Sequence, residues 1–296
     1  MEQDVRRLHL DVLRDSMFEA ALGVWEQTRR AEDTASALTA MKPLCDSTTN
    51  LYCTDMSASE PWGWSIAIAN EAVNMHRSGG DRFGDYPDRR YFDQVVIPHY
   101  VEMTTENQPM VHRIRTTVQG RLAIYDRLML PYLGKETRIG LSLSRVLLVV
   151  DHAAPTTGKQ LSPRERQCLV HIVDGRSAKW GAAEDELSVR TVQNTIERLK
   201  AKLGARNITE AAGMGALLLS PRQNADTETP QASSLLSPRE RQCLGLLASG
   251  CSWRQAAAEL RLAPKTVEKH IESLKAKLGA RNAAEAVAKG LRLLAG

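Results

Sequence analysis

Two sets of polar side chains in the C-terminal half have the types and spacing to recognise a nucleic acid. Lys265, Glu268, Lys269, Glu272 and Ala276 lie opposite a stripe of Val267, Ile271, Leu274 and Leu278, whose spacing predicts one apolar face of a helix. Seventy-five residues earlier, Arg190, Gln193, Asn194, Glu197 and Ala201 lie opposite Val192, Ile196, Leu199 and Leu203. Arginine pairs well with guanine, and asparagine or glutamine with adenine, so the two faces offer different hydrogen-bonding patterns. Drift at unconstrained exposed positions explains that difference as well as distinct base preferences do. Arg254, Lys275, Lys277 and Arg281, with Lys179, Lys200, Lys202 and Arg206 in the earlier set, add cations suited to phosphates; Ser273 and Arg198 occupy equivalent positions beside them. One lysine or arginine alone is usually only a solvated side chain. The charge distribution argues for more. Residues 159–294 carry 22 of the 39 Lys+Arg and 14 of the 35 Asp+Glu, a formal +8, leaving 17 against 21, or −4, elsewhere. Such asymmetry is the footprint of a nucleic-acid module attached to something else.

These side chains need a frame that presents them, and the chain writes that frame twice. Residues 161–219 and 236–294 align without a gap, with about 28 of 47 positions identical between 161–207 and 236–282. Ser162 caps a helix start, Pro163 suits the first helical position and Glu165 completes a capping box; Ser237, Pro238 and Glu240 repeat the arrangement. Gly175 and Gly250 end that helix. A second short helix starts at Ser177, or at Ser252 with Gln255. The striped third helix ends at Gly204 or Gly279, and a fourth begins at Asn207 or Asn282 under an N-x-x-E cap. No strand periodicity intervenes, so each copy reads as an all-α four-helix module.

The run from Ser252 to Arg281, S-W-R-Q-A-A-A-E-L-R-L-A-P-K-T-V-E-K-H-I-E-S-L-K-A-K-L-G-A-R, together with the opening L-S-P-R-E, resembles the LuxR-type helix-turn-helix. Glu240, Gly250, Ala257, Leu260, Thr266, Val267, His270, Lys277 and Leu278 sit at that family's spacings. The first copy keeps Glu165, Gly175, Ala182, Ser188, Thr191, Val192, Lys202 and Leu203. It departs at Gly181, Asp185 and Thr195, where the second has Ala256, Leu260 and His270. An aspartate at an apolar position is expected to loosen the second helix and weaken the first copy as a reader. The resemblance implies a bacterial transcriptional regulator whose third helices enter the major groove of double-stranded DNA, with Thr191 and Thr266 on phosphate and His270 as scaffold. RNA polymerase is a partner if the protein activates. The resemblance also implies that the fourth helix can make a dimer contact, for which Leu217, Leu218, Leu219, Leu291, Leu293 and Leu294 offer apolar surface. The competing reading is an interaction or homodimerisation protein in which the first module, or both, has lost DNA binding.

At 296 residues the chain has room for one mid-sized domain and two small ones. The expected organisation is a helical segment over 1–40, an α+β sensor domain over 41–152, a linker over 153–160, and modules over 161–220 and 236–296. The polar, Pro-containing stretch 221–235 reads as a flexible linker with a reach of roughly 20 Å. It permits both modules to reach one DNA site without dictating their orientation. The polar start Met1-Glu2-Gln3-Asp4 and the lack of a spanning apolar run predict a soluble, cytoplasmic protein with no membrane partner. Cys45, Cys53, Cys168, Cys243 and Cys251 are an odd number without metal spacing; Cys168 and Cys243 share one helix position and are expected to be buried small side chains.

In the front half, Leu8, Val12 and Leu13 followed by Phe18, Leu22 and Trp25 predict helix through residues 4–40. Tyr91 to Glu106 reads as a helix interrupted at Pro98, and Gly79-Gly80-Asp81 as a turn. Val111–Val118 and Leu122–Leu130 read as a hairpin around Gln119-Gly120, with Leu141–Val150 as a third strand. The run from Asn107 to Leu133 resembles the closing strands of a PAS-type sensory domain. That implies a cavity between sheet and helices, with Trp62, Trp64 and Phe83 as candidate lining, although such aromatics are more often plain core. The expected fold is thus an α+β, PAS-like N-terminal sensor domain followed by two all-α LuxR-type modules. Its signal is a small molecule or a protein, and no cofactor is implied. His76, His99, His112 and His152 form no metal pair, and Asp81, Asp85 and Asp88 lack the closing glutamate of a calcium loop. Gly79-Gly80 lacks the ending of a phosphate-binding loop. No metal site or catalytic constellation is recognisable, so the reading is a non-enzyme.

Overall fold

The structure, a computed structural model, describes residues 4–8, 15–29, 33–72, 80–118, 121–134, 138–151, 161–219 and 235–295. Gly79, the Gln119-Gly120 turn, the linker 153–160 and all but Leu235 of the linker 221–235 lie outside the described residues. Two units divide the chain, Met1–Val149 and Val150–Gly296.

The first unit is built on a six-stranded sheet in the order β1-β4-β5-β6-β2-β3. The strands are β1 Asp4–Leu8, β2 Thr49–Asp55, β3 Ser65–Glu71, β4 Met110–Val118, β5 Arg121–Leu133 and β6 Arg138–Asp151. Helices α1 Ser16–Thr28 and α2 Thr34–Met41 cover one face, placing Phe18, Trp25 and Met41 against Leu51, Val111, Leu128 and Leu143. On the other face a helical turn Arg89–Tyr91, a π-helix Phe92–Val96 and α3 Ile97–Glu106 pack with Trp64 and Phe83 onto Ile114, Tyr125 and Met129. With both faces covered, β5 is buried from Leu122 to Tyr132, which is why it reads as a nearly continuous apolar run.

The hairpin and the third strand form as expected, with Val118 opposite Arg121. The N-terminus does not follow the helical expectation. Asp4–Leu8 is a strand that pairs antiparallel with β4, Val5 opposite Ile114 and Leu8 opposite Val111. The open edge of β4 satisfies backbone groups that a five-residue helix could not, and Arg7 holds Glu102 and Glu106 of α3 at 3.0 and 2.6 Å. The rest of the expected helix is two helices, each opened by an aspartate: Asp15 accepts from the Met17 and Phe18 amides, and Asp33 from that of Ser36. Pro98 does not interrupt a helix either. It sits in the first turn of α3, where its missing N–H leaves nothing unsatisfied, and the break in register falls in the π-helix before it.

The second unit holds two four-helix modules: α4 Pro163–Val173, α5 Ala178–Glu184, α6 Val189–Leu203 and α7 Ile208–Leu219; then α8 Pro238–Ala248, α9 Trp253–Glu259, α10 Pro264–Lys277 and α11 Ala283–Ala295. Both predicted capping boxes are present at Ser162/Glu165 and Ser237/Glu240. Gly175 and Gly250 follow their helices at φ +66° and +77°. The modules are docked on each other, α7 along α11, and Ala284 and Ala288 of the second contribute to the core of the first. The expectation of freely oriented modules is therefore corrected by a shared apolar interface.

Candidate nucleic-acid interface

In α6, Val192, Leu199 and Leu203 are buried, and in α10 so are Val267, Ile271 and Leu274. The opposite faces are exposed: Arg190, Gln193, Asn194, Glu197 and Ala201 on α6, and Lys265, Glu268, Lys269, Glu272 and Ala276 on α10. Arg190, Lys265 and Lys269 make no ion pair among the described residues. Lys200 and Lys275 pair with Glu197 and Glu272 one turn back, both at 2.9 Å; such surface pairs hold a lysine only weakly. Lys179 and Arg254 are exposed on the second helices, Arg254 lying 5.0 Å from the Trp253 ring centre. Thr191 and Thr266 are half-buried at the starts of the third helices, and the Ser188 hydroxyl accepts from the Thr191 amide at 3.0 Å.

Other expected contact residues have partners inside the protein. Lys202 meets Glu165 at 2.6 Å and Lys277 meets Glu240 at 2.8 Å, tying each third helix to the start of its first. The Ser273 hydroxyl donates to Glu240 at 2.7 Å. Burial pushes the Glu240 carboxyl up, but Lys277, Ser273 and the Ser237 cap outweigh it and hold the group at about 2. Arg198 donates to Thr195 Oγ1 at 3.3 Å, and Thr195, standing where the second module has His270, donates to the Thr191 carbonyl at 3.0 Å.

Arg206 and Arg281 belong to the junction between modules. Asn207 Nδ2 donates to the Gly250 carbonyl at 2.8 Å, and Asn282 Nδ2 donates to the Gly175 carbonyl at 2.7 Å. The partners are equivalent residues with their modules exchanged, so the contact is isologous and the modules are related by a pseudo-two-fold axis. Arg281 also donates to the Asp174 carbonyl and pairs with Glu285 at 3.0 Å, as Arg206 does with Glu210 at 3.2 Å. Burial raises Glu285, yet the Arg281 amide and guanidinium and Lys289 hold it at about 2. A Cβ on Gly250 would lie 2.4 Å from Glu210 Oε2, and one on Gly175 2.6 Å from Glu285 Cβ. Glycine is thus favoured twice over, by positive φ and by the opposing glutamate. Along the helices, a Cβ on Gly213 would meet Leu291 at 3.0 Å and Val287 at 3.1 Å. Leu291 and Leu294 are buried, whereas Leu218 is exposed.

Residues 159–214 and 234–289 each match the bacterial regulatory proteins, luxR family. Both modules are LuxR-type helix-turn-helix domains. The chain is also 30% identical over 144 residues to a probable transcriptional regulatory protein NarL of Mycobacterium tuberculosis, covering 49% of this chain and 63% of that protein. It is 44% identical over 59 residues to the probable HTH-type transcriptional regulator GfsR of Streptomyces halstedii, covering 20% of this chain and 24% of that one. The chain therefore spans less than two thirds of the length of these curated relatives.

The first LuxR-type module accommodates its unusual aspartate. Asp185 Oδ1 lies 3.3 Å from His171 Nε2, and His171 and Asp185 replace Leu246 and Leu260 of the second LuxR-type module. Gly181, in place of Ala256, leaves room for the imidazole, since a Cβ there would sit 3.3 Å from its Cδ2. Trp180 packs edge-on against His171 at 5.2 Å. Gly181 and Asp185 thus depart together with His171, and the second helix is formed over Ala178–Glu184 rather than loosened.

In the first unit Trp64 and Phe83 are buried edge to face at 5.9 Å. Phe83 lines a small cavity between the sheet and the α3 side, whereas Trp62 and Trp64 do not line it; Trp62 is half-buried beneath Arg89 at 4.5 Å. Among the described residues no cluster of His, Cys, Asp and Glu could hold a metal ion, and no helix is long and apolar enough to cross a membrane.

Proposed function

We propose that this chain is a sequence-specific DNA-binding transcriptional regulator in which α6 and α10 enter the major groove and the first unit, read as PAS-like, receives the signal. The observation that carries the reading is the isologous junction, which holds two third helices in one body while their polar faces stay exposed. Helix-turn-helix dimers use two-fold symmetry to read paired half-sites. Here one chain supplies both readers, and the differing faces Arg190, Gln193, Asn194 and Lys265, Glu268, Lys269 favour an asymmetric site. The His171–Asp185 pair supports a first module that is intact rather than decayed. Because the junction is occupied within the chain, a homodimer would have to form through another surface, and RNA polymerase is a partner only if the regulator activates.

Sequencing of DNA fragments selected by the full-length protein tests this. The expected result is a two-part, non-palindromic site, with Asn194→Ala relaxing one part and Lys269→Ala the other. Deleting one module is a poorer test, because it would strip cover from Gly213 and Ala288. Selection of no sequence, or binding insensitive to salt, would overturn the reading, since phosphate contacts make affinity fall steeply with ionic strength. Loss of response to Asn194→Ala and Arg190→Ala alone would leave the first module as a dimerisation partner only.

A further inference from the structure

The sheet of the first unit buries two arginines and treats them differently. Arg113 on β4 faces the α1 side and grips Asp126 through two bonds of 2.7 and 2.9 Å. Arg127 follows Asp126 on β5 and so points to the opposite face. It is 4% exposed, and no carboxylate pairs with it among the described residues. Its Nη2 contacts the Val95 carbonyl at 3.4 Å and the His99 Nδ1, while its Nε, also buried, has no hydrogen-bond partner. Glu102, paired with Arg7 at 3.0 Å, also comes within 3.6 Å of the neighbouring His112, not of Arg127.

The surroundings do not compensate the charge. His99 and His112 stack with ring centres 4.0 Å apart. Burial first, then the charge of Arg127, pushes both imidazoles down, His112 to about 3 and His99 to about 2, so both are neutral. Burial pushes the Tyr91, Tyr100 and Tyr125 phenols up, which keeps them protonated as donors. Arg127 lines a cavity of about 40 Å³ together with Tyr52, Tyr91, Tyr100, Tyr125, Ser142 and Ser144, closed on its apolar side by Phe83 and Phe92. That volume takes about three water-sized groups.

We propose that this cavity binds a small monovalent oxyanion, a carboxylate or bicarbonate of three or four non-hydrogen atoms, with the Arg127 guanidinium as its counter-ion. A buried cation lacking a partner is unfavourable unless something neutralises it. The planar guanidinium fork matches a carboxylate in two parallel bonds, and the hydroxyls around it donate to the same oxygens. One cation selects one negative charge, and the small volume favours short acids. The site deepens the sensor reading and rests on it only for any effect on DNA; occupancy is read without DNA, so each can fail separately.

The test is calorimetry of the full-length protein titrated with formate, acetate and bicarbonate, with chloride at matched ionic strength as control. Hydrogen exchange locates the response. At about 100-fold excess over its dissociation constant, one of the three is expected to raise the first unit's transition by about 5 °C, with protection over residues 89–106 and 121–133. Arg127→Met should abolish that response and, by removing an uncompensated charge, melt higher than wild type without ligand. If Arg127→Met does not fold, Arg127→Gln serves for the loss of response. No shift beyond chloride with any of the three, or an equal shift in the variant, overturns the site. A variant that melts lower and a wild type that ignores every anion would make Arg127 a structural residue of the sheet. Binding without any change in DNA affinity would leave the site standing and remove the sensor reading.

Discussion

His171 and Asp185 meet at 3.3 Å in the first module where the second places Leu246 and Leu260. The repeat thus holds two solutions to one packing problem, one polar and paired, the other apolar. The two residues should be energetically coupled. His171→Leu alone leaves the aspartate without its partner and should cost about 1–3 kcal/mol. His171→Leu with Asp185→Leu and Gly181→Ala should recover most of that. A double-mutant cycle by urea denaturation measures it, and additive single effects would show that the pair carries no coupling.

One junction glycine and one helix-end glycine should separate strain from crowding. Gly279 has φ +56° with nothing near a new Cβ, whereas Gly250 has φ +77° with Glu210 in the way. Gly279→Ala should cost about 1 kcal/mol from backbone strain. Gly250→Ala should cost more and raise hydrogen exchange along α7 and α11 as the helices part. Equal costs would mean that Glu210 yields freely.

Two lysines on α10, eight residues apart, should fail differently. Lys269→Ala removes an unpaired exposed cation; it should leave melting unchanged and weaken DNA binding by about 1–3 kcal/mol if the contact is to a base. Lys277→Ala strands the buried Glu240, so its first effect should be on stability, ~1–2 kcal/mol, limited by the lysine's own exposure. Melting and binding measured on both variants decide the assignment.

Acid should unfold the second unit. Glu240 and Glu285 sit at about 2 against an ordinary 4.5, so the unfolded chain binds protons more readily than the folded one. Their contribution is complete above about pH 4.5 and is lost as pH falls towards 2. Denaturation midpoints across that range should fall steeply for the wild type and less so for Glu240→Gln, which starts lower.

The second unit was legible because its signals are local and written twice: Ser162 with Glu165, the Val192 stripe and Gly175 each act within a turn or two of helix. The strand at Asp4–Leu8 was not, since its partner lies about a hundred residues away and five residues carry too little periodicity to separate strand from helix. Asn207 and Asn282 were read as caps, and they are caps, their Oδ1 atoms accepting from the Glu210 and Glu285 amides at 2.9 and 3.0 Å. Their Nδ2 atoms do the second task, which no single-module reading exposes. Asp185 looked disruptive because its histidine lies fourteen residues away on another helix. Lys202, Lys277 and Ser273 look like surface residues in sequence, and only the fold shows the carboxylates they hold.

The junction has a consequence for dose. Two separate copies that must find each other before gripping DNA give a threshold: below their dissociation constant, little competent reader exists. In this chain the two halves are translated together and meet as a unimolecular event, so dilution does not part them. If both halves grip DNA, occupancy should follow a simple hyperbola, and a few molecules per cell should act in proportion to their number.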